Sequence, residues 1–291
     1  DVERGKGNCG VVTDEVRLIF VFKTPTLPAA LPLKLIPTQF FATYAEAIPG
    51  LTWDTLLKTI PEVEITPDTF GFYASVASVY SSKIEGENIE LDSFLRHKFL
   101  EGKYKPDYTR KTDDLFAAYE WARKHRITLP NILKAHARLT KNLLPSGSRG
   151  RIRTKQEIIV DTEGRIEYTA ADAGILAGET EKLFTDIAVL LTAPITLEET
   201  FYTASMIHLV FLKIHPFEDG NGRMARLLEK WFLAEKLGET AWYIPSERYY
   251  YEHLRDYYRN VHIGQDYESL NYARCLPFLQ MLPEALISRG N

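Results

Sequence analysis

Residues 215–226 read HPFEDGNGRMAR, a polar loop with two glycines. It is set between two apolar stretches, TFYTASMIHLVFLKI (200–214) and RMARLLEKWFLAEKL (223–237). His215 precedes Pro216, a position pushed out of the right-handed helical region, and Pro216 has no N–H for a helix ladder. A helix therefore stops at His215. Phe217 is the one apolar residue of the loop and is expected to anchor it in a core. Gly220 and Gly222 free the backbone so that successive amides can face one spot, and such a nest at a helix start is an anion site. Arg223 and Arg226 fall in the opening turn of the next helix, where each cation opposes the helix dipole by about 0.3–1 kcal/mol. Two such cations imply an anion. A polyphosphate would satisfy amides and guanidiniums together. Asp219 would offer a hard oxygen to magnesium bridging the phosphates, and His215 would stand as a general base. Each feature has a plainer reading alone: a glycine turn, a histidine at a helix end, arginines paired with surface carboxylates. The order and spacing of all of them argue against coincidence.

Helical spacing dominates on both sides of the loop. Thr196-Leu-Glu-Glu199 is a capping box and opens the helix that ends at His215. Gly238 closes the helix that follows. Upstream, residues 32–50 hold one short helix. Thr66-Pro-Asp68 predicts an N-cap with proline at the first helical position, and that helix runs to about Gly86. Segments 91–102, 113–125 and 130–144 carry further helices, as do SERYYYEHLRDYYRN and ARCLPFLQMLPEAL near the end. The exception is 149–169, RGRIRTKQEIIVDTEGRIEYT. Here Ile158 and Val160 are expected to face Ile166 and Tyr168 across Asp161–Gly164, a hairpin signal. A lone two-stranded ribbon is marginal by itself, so it must lie on the helical body with one edge free. The expected fold is an all-α bundle with one inserted β-hairpin.

Composition narrows the field. The 291 residues can bury a large core; 45% are apolar and 25% charged, which is ordinary for a globular protein. A net charge of −4 gives no overall basic field for nucleic acid, and no apolar run approaches a membrane span. Leu18–Phe22 reads as a strand or core segment. Two cysteines, Cys9 and Cys275, argue against a disulfide framework and fit a reducing, cytoplasmic setting. GKGNCG (5–10) shows neither apolar periodicity nor caps, and residues 1–15 are expected to be disordered or not native. A zinc-hydrolase reading of His208, His215 and Asp219 fails on spacing.

The stretch 215–226 resembles, without departure, the signature of the Fic family, His-Pro-Phe-x-Asp/Glu-Gly-Asn-Gly-Arg-x-x-Arg. The resemblance extends to His136 in KAHARLT, to the hairpin and to IPSERYYYEHLRDYYRN. It implies a Fic core over residues 111–285, with a flap hairpin at about 149–169, behind an N-terminal helical region at 16–110. It also implies adenylylation, in which a Ser, Thr or Tyr hydroxyl of a target protein attacks the α-phosphate of ATP and pyrophosphate leaves. On that resemblance His215 takes the hydroxyl proton and Asp219 holds Mg2+. Asn221, with the amides of Gly220 and Gly222, holds the α- and β-phosphates. Arg223 neutralises the β-phosphate side and Arg226 holds the γ-phosphate. The flap would align the target by strand addition, with Ile158 and Tyr168 as candidate contacts. Tyr243, Tyr250 and Tyr257 are candidate aromatic walls for the base. The expected partners are ATP and a hydroxyl-bearing protein, and a homodimer stays open.

Ser81-Ser-Lys-Ile-Glu85-Gly86 matches the family's inhibitory helix, placed here on the N-terminal side. Arg226 wants an anion; when Glu85 supplies it, the γ-phosphate cannot. Misalignment of the α-phosphate would then cost much rate. Removal of AMP from a target, transfer from another diphosphate donor, or a nucleotide-sensing module without turnover are the competing readings.

Overall fold

A computed structural model describes residues 31–48, 67–160 and 163–287. Residues 1–15 with Cys9, the Leu18–Phe22 segment, the Thr66 cap and turn residues Asp161 and Thr162 lie outside them.

Among the described residues the chain is helical apart from one hairpin. In order these elements are α1 (Phe41–Glu46), α2 (Pro67–Ile84), α3 (Leu91–Phe99), α4 (Pro106–Arg123), α5 (Leu129–Leu139), β1 (Ile158–Val160), β2 (Ile166–Thr169), α6 (Ala173–Thr192), α7 (Leu197–Ile214), α8 (Asn221–Leu237), α9 (Ser246–Glu252), α10 (Leu254–Val261) and α11 (Leu276–Ile287). No helix among the described residues is long and apolar enough to cross a membrane.

The centre is the antiparallel pair α7 and α8. The capping box forms as the sequence predicts: Glu199 N–H donates to Thr196 Oγ1 at 3.2 Å, and Thr196 N–H donates to Glu199 Oε2 at 2.6 Å. Beyond it α7 is buried on nearly every side, as is α8 from Asn221 to Leu233. A helix that is buried all round belongs in the middle of a core. The polar loop 215–220 therefore joins the two central helices, the most constrained place in the bundle. Around this pair pack α6, α5 and α11, while α2 lies against α4 and α9. Asp186 of α6 accepts the amides of Lys34, Leu35 and Ile36 at 2.7, 2.7 and 2.9 Å, which ties the early chain to the body.

Three expectations change. A 20-residue helix, α6, stands where none was predicted, opened by Asp172, whose side chain accepts from Gly174 N–H. The stretch SERYYYEHLRDYYRN breaks at His253 into two short helices. The hairpin register also differs: Ile158 pairs with Thr169, Ile159 with Tyr168 and Val160 with Ile166, with an irregularity between Ile159 and Val160. Such an extra residue turns neighbouring side chains to opposite faces. Ile158, Val160 and Ile166 are exposed, whereas Tyr168 is buried.

Candidate active site

α7 ends with His215 at φ 54°, ψ 61°. Proline at 216 disfavours the right-handed region, and the residue takes the left-handed one rather than the extended one. That costs about 1–2 kcal/mol for a residue with a Cβ. Among the described residues only His215 and Glu101 are non-glycines with positive φ. The loop is over-determined, as strain requires. Phe217 is buried and stacks on His136 at 3.6 Å and 11°. Gly150 N–H donates to His136 Nδ1 at 2.9 Å, so Nε2 carries the proton and donates to the Asp219 carbonyl at 2.9 Å. Burial pushes His136 down to about 4, which keeps it neutral in this clamp. The Asn221 side chain is also spent on the loop. Its Oδ1 accepts from Phe217 N–H at 3.0 Å and its Nδ2 donates to the Phe217 carbonyl at 2.8 Å. Any hold that this residue has on a phosphate therefore rests on its main chain.

His215 Nδ1 lies 3.3 Å from the Leu212 carbonyl, the partner that an Nδ1–H tautomer would use. Nε2 is then left with its lone pair. Burial pushes the imidazole down to about 4; the Leu212 carbonyl and Glu85 act upward, Arg153 and Lys213 downward. At neutral pH it is an uncharged ring able to accept a proton. Lys213, two residues earlier, is itself buried and pushed down to about 8 by that burial. Its ammonium sits 4.3 Å from the centre of the Tyr168 ring.

Helix α8 starts at Asn221, so Arg223 is in its first turn and Arg226 in its second, one turn deeper than expected. Both are buried. Arg226 donates through Nη2 to Glu85 Oε1 at 2.6 Å and to the Ser81 carbonyl at 3.1 Å, through Nε to Ser81 Oγ at 2.8 Å, and through Nη1 to Tyr257 OH at 3.2 Å. Burial alone would push the Glu85 carboxyl up; the guanidiniums of Arg226 and Arg223 outweigh it and hold it below the usual range. Glu85 reaches this place because α2 ends in a tight turn. Gly86 N–H bonds the Lys83 carbonyl and Glu87 N–H the Ser82 carbonyl, with Gly86 at φ 83°. This is a Schellman stop, which glycine enters at no steric cost. A Cβ on Gly222 would collide with Glu85 Oε1, so glycine at 222 is what lets the carboxylate lie on the start of α8.

The same turn carries a second anion that the sequence reading missed. Glu87 Oε1 accepts from Lys111 Nζ at 2.6 Å and from Arg223 Nη2 at 3.4 Å. Tyr258 OH donates to the Ile84 carbonyl at 2.8 Å and holds the end of α2 from the other side. Among the described residues, Arg223 Nε is buried with no hydrogen-bond partner.

These groups border a cavity of about 590 Å³ whose walls include Glu85, His215, Gly222 and Arg226 on one side, and Val160 and Tyr168 of the hairpin on the other. Tyr168 faces inward, its hydroxyl donating to the Lys213 carbonyl at 2.7 Å. It underpins the hairpin rather than presenting itself to a partner, whereas Ile158 is outward and 47% exposed. Of the three candidate tyrosine walls only Tyr257 borders the cavity. Tyr243 stacks on Tyr73, and Tyr250 donates to the buried Glu229.

Asp219 is exposed at the loop tip and accepts the Gly220 amide through one oxygen. Among the described residues no three acidic, histidine or cysteine side chains gather into a protein-only metal cage. One open carboxylate next to the loop amides would suit magnesium, which keeps waters and is commonly shared between a carboxylate or two and substrate phosphates.

Residues 126–233 match the model of the Fic/DOC family. In fold the chain resembles a Fic family protein from Desulfovibrio desulfuricans G20, with a TM-score of 0.64 and 21% identity over 86% of this chain and 71% of that one. A Fic domain containing signalling protein from Bacteroides thetaiotaomicron VPI-5482 gives 0.58 and 17%, over 86% and 92%. Fic-1 from C. elegans gives 0.51 and 20%, over 86% and 69%. At these identities the likeness speaks for the helical fold, and the profile match speaks for the loop and the helices around it. Residues 126–233 therefore form a Fic/DOC family domain.

Proposed function

We propose that the chain is a protein adenylyltransferase restrained by its own Glu85. In this reading residues 111–285 are the catalytic body and the helix before them carries the restraint. The polyphosphate of ATP lies over the amides of Gly220 and Gly222, with its terminal phosphate on Arg226 and its middle phosphate toward Arg223. Asp219 would hold magnesium, whose charge offsets that of the phosphates. A Ser, Thr or Tyr hydroxyl of the target enters under the hairpin. His215 Nε2 takes its proton as the oxygen bonds to the α-phosphorus, and the bond to the β-phosphate breaks to release pyrophosphate. A neutral imidazole suits this step, because a base must hold an open lone pair at the working pH.

The observation that carries the proposal is the 2.6 Å contact between Glu85 and Arg226 at the wall of a cavity shared with His215. A carboxylate stands where the phosphate tail would be needed. Self-labelling with α-labelled and γ-labelled ATP, run in parallel on wild type and Glu85→Gly, tests it. The expected result is label from the α-position only, rising about 100-fold in the variant, since misplacement of the reacting centre costs rates of that order. Label from the γ-position, or equal label in both proteins, would defeat it.

A further inference from the structure

Arg153 lies outside the 215–226 motif, yet it is almost wholly buried, and its hydrogen bonds all go to main-chain carbonyls. Nε donates to the His215 carbonyl at 2.8 Å, and Nη2 approaches the Ile214 carbonyl at 3.4 Å. Its own amide donates to the Pro216 carbonyl at 2.9 Å. On the other side, Nη1 donates to the Lys155 carbonyl and Nη2 to the Ala171 carbonyl, both at 2.6 Å. Lys155 precedes β1 and Ala171 follows β2, so these two bonds hold both legs of the hairpin.

Resting on the reading of His215 as the base, we infer that Arg153 is a positioning residue: it fastens both legs of the hairpin to the strained turn that aims His215.

The physical grounds are threefold. The last carbonyls of α7 have no partner within the helix and form the negative end of its dipole, where a cation is favoured. A buried carbonyl left unpaired is costly, and one guanidinium serves carbonyls on three separate segments. A lysine ammonium keeps the charge but lacks the planar fork that spans them. The left-handed conformation of His215 persists only where its surroundings over-determine it, and Arg153 supplies bonds to residues 214, 215 and 216 in succession. A segment that docks on the hairpin thus presses on the same guanidinium that sets the direction of the imidazole. The charged groups acting on that ring are Arg153 from the hairpin root, Lys213 from α7 and Glu85 from the end of α2.

The test uses the full chain and two readouts. In the first, amide hydrogen exchange compares wild type with Arg153→Lys. Exchange should quicken about tenfold both in the hairpin and at residues 214–217, as expected when one cooperative unit loosens. Faster exchange in the hairpin alone would overturn the inference. In the second, Arg153→Lys is placed in the Glu85→Gly background. There kcat for transfer should fall about tenfold with KM for ATP held within about twofold, the mark of a misaimed base rather than a lost binding contact. A rise in KM at unchanged kcat would overturn it. If Glu85→Gly transfers nothing, the functional reading fails while the exchange readout still decides the coupling. If Arg153→Lys does not fold, Gln156→Ala is the second variant. It removes the bond from Gln156 Nε2 to the Ala170 carbonyl at 2.8 Å and leaves Arg153 whole. It should quicken exchange at 214–217 together with the hairpin, and a change confined to the hairpin would count against the coupling.

Discussion

The turn that ends α2 and the hairpin β1–β2 border the same cavity and are built in opposite ways. The turn from Ser81 to Glu87 is rooted in buried serines, fixed by a Schellman stop and ion-paired to Arg226, Arg223 and Lys111. The hairpin shows water the side chains of Ile158, Val160 and Ile166, which are 47%, 54% and 63% exposed. The outer side of β2 is bonded only at Thr169, to residues 265–267, and β1 has no second strand partner among the described residues. One region has its charges already satisfied and the other has main-chain groups and apolar surface to offer. On the proposed reading, such a site would be restrained by electrostatics at its nucleotide end and open to strand addition at its partner end.

The sharpest way to break this contrast is to remove the group both regions aim at. In the Glu85→Gly background, His215→Ala should lower transfer about 1,000-fold, within the range for a positioned base, while ATP binding measured by calorimetry persists. Retained transfer would remove His215 from the chemistry. The pH dependence sharpens the same point. The folded-state pKa of His215 is lowered, to about 4. The neutral ring, and the transfer that needs it, should hold as pH falls through about 6.5, where an ordinary histidine protonates. Stability behaves differently. Between about 6.5 and 4 the unfolded chain takes up protons that half-buried His215 and buried His136 refuse, so stability is full above that window and falls within it. An acid limb of transfer centred near the ordinary histidine value would contradict the assignment.

Glu87→Ala is a smaller cut on the same turn. It frees Arg223 and leaves Glu85 in place. The contact is long, 3.4 Å against 2.6 Å for Glu85, and Glu87 is shared with Lys111, so transfer should rise only about threefold, in keeping with the modest worth of a partly exposed pair. A rise equal to that of Glu85→Gly would mean that the two carboxylates act as one. The smallest expected stability effects are on the hairpin. Val160→Ser and Ile166→Ser should each leave thermal stability within about 0.5 kcal/mol, yet lower labelling of other proteins in a lysate. Unchanged labelling would leave the exposed face without a part in docking.

Much of this was legible in the sequence because it is local. The capping box Thr196–Glu199, the stop at Gly86 and the break before Pro216 each lie within a few residues, where propensity and capping act. The helix α6 was missed although Leu176, Thr180, Leu183, Ile187 and Leu190, all buried, repeat at helical spacing. Gly174 and Gly178 near its start dilute the signal. The hairpin was readable but its register was not, since one irregular residue moved Tyr168 to the inner face. Glu87 and Arg153 were out of reach for another reason. Glu87 meets Arg223 across 136 residues, and Arg153 meets the His215 carbonyl across 62. Pairing at that distance is decided by packing, and nothing in the local pattern of either residue announces it.

The seat at Arg226 can be tested directly by titrating ATP and ADP against wild type, Glu85→Gly and Glu85→Gly/Arg226→Ala. In wild type the two nucleotides should bind alike, because the seat for the terminal phosphate is filled. Glu85→Gly should favour ATP over ADP by about tenfold, which is roughly the worth of one charged hydrogen bond, and the double variant should lose that preference. The same ATP-to-ADP ratio in all three proteins would show that Glu85 and a terminal phosphate do not compete for Arg226.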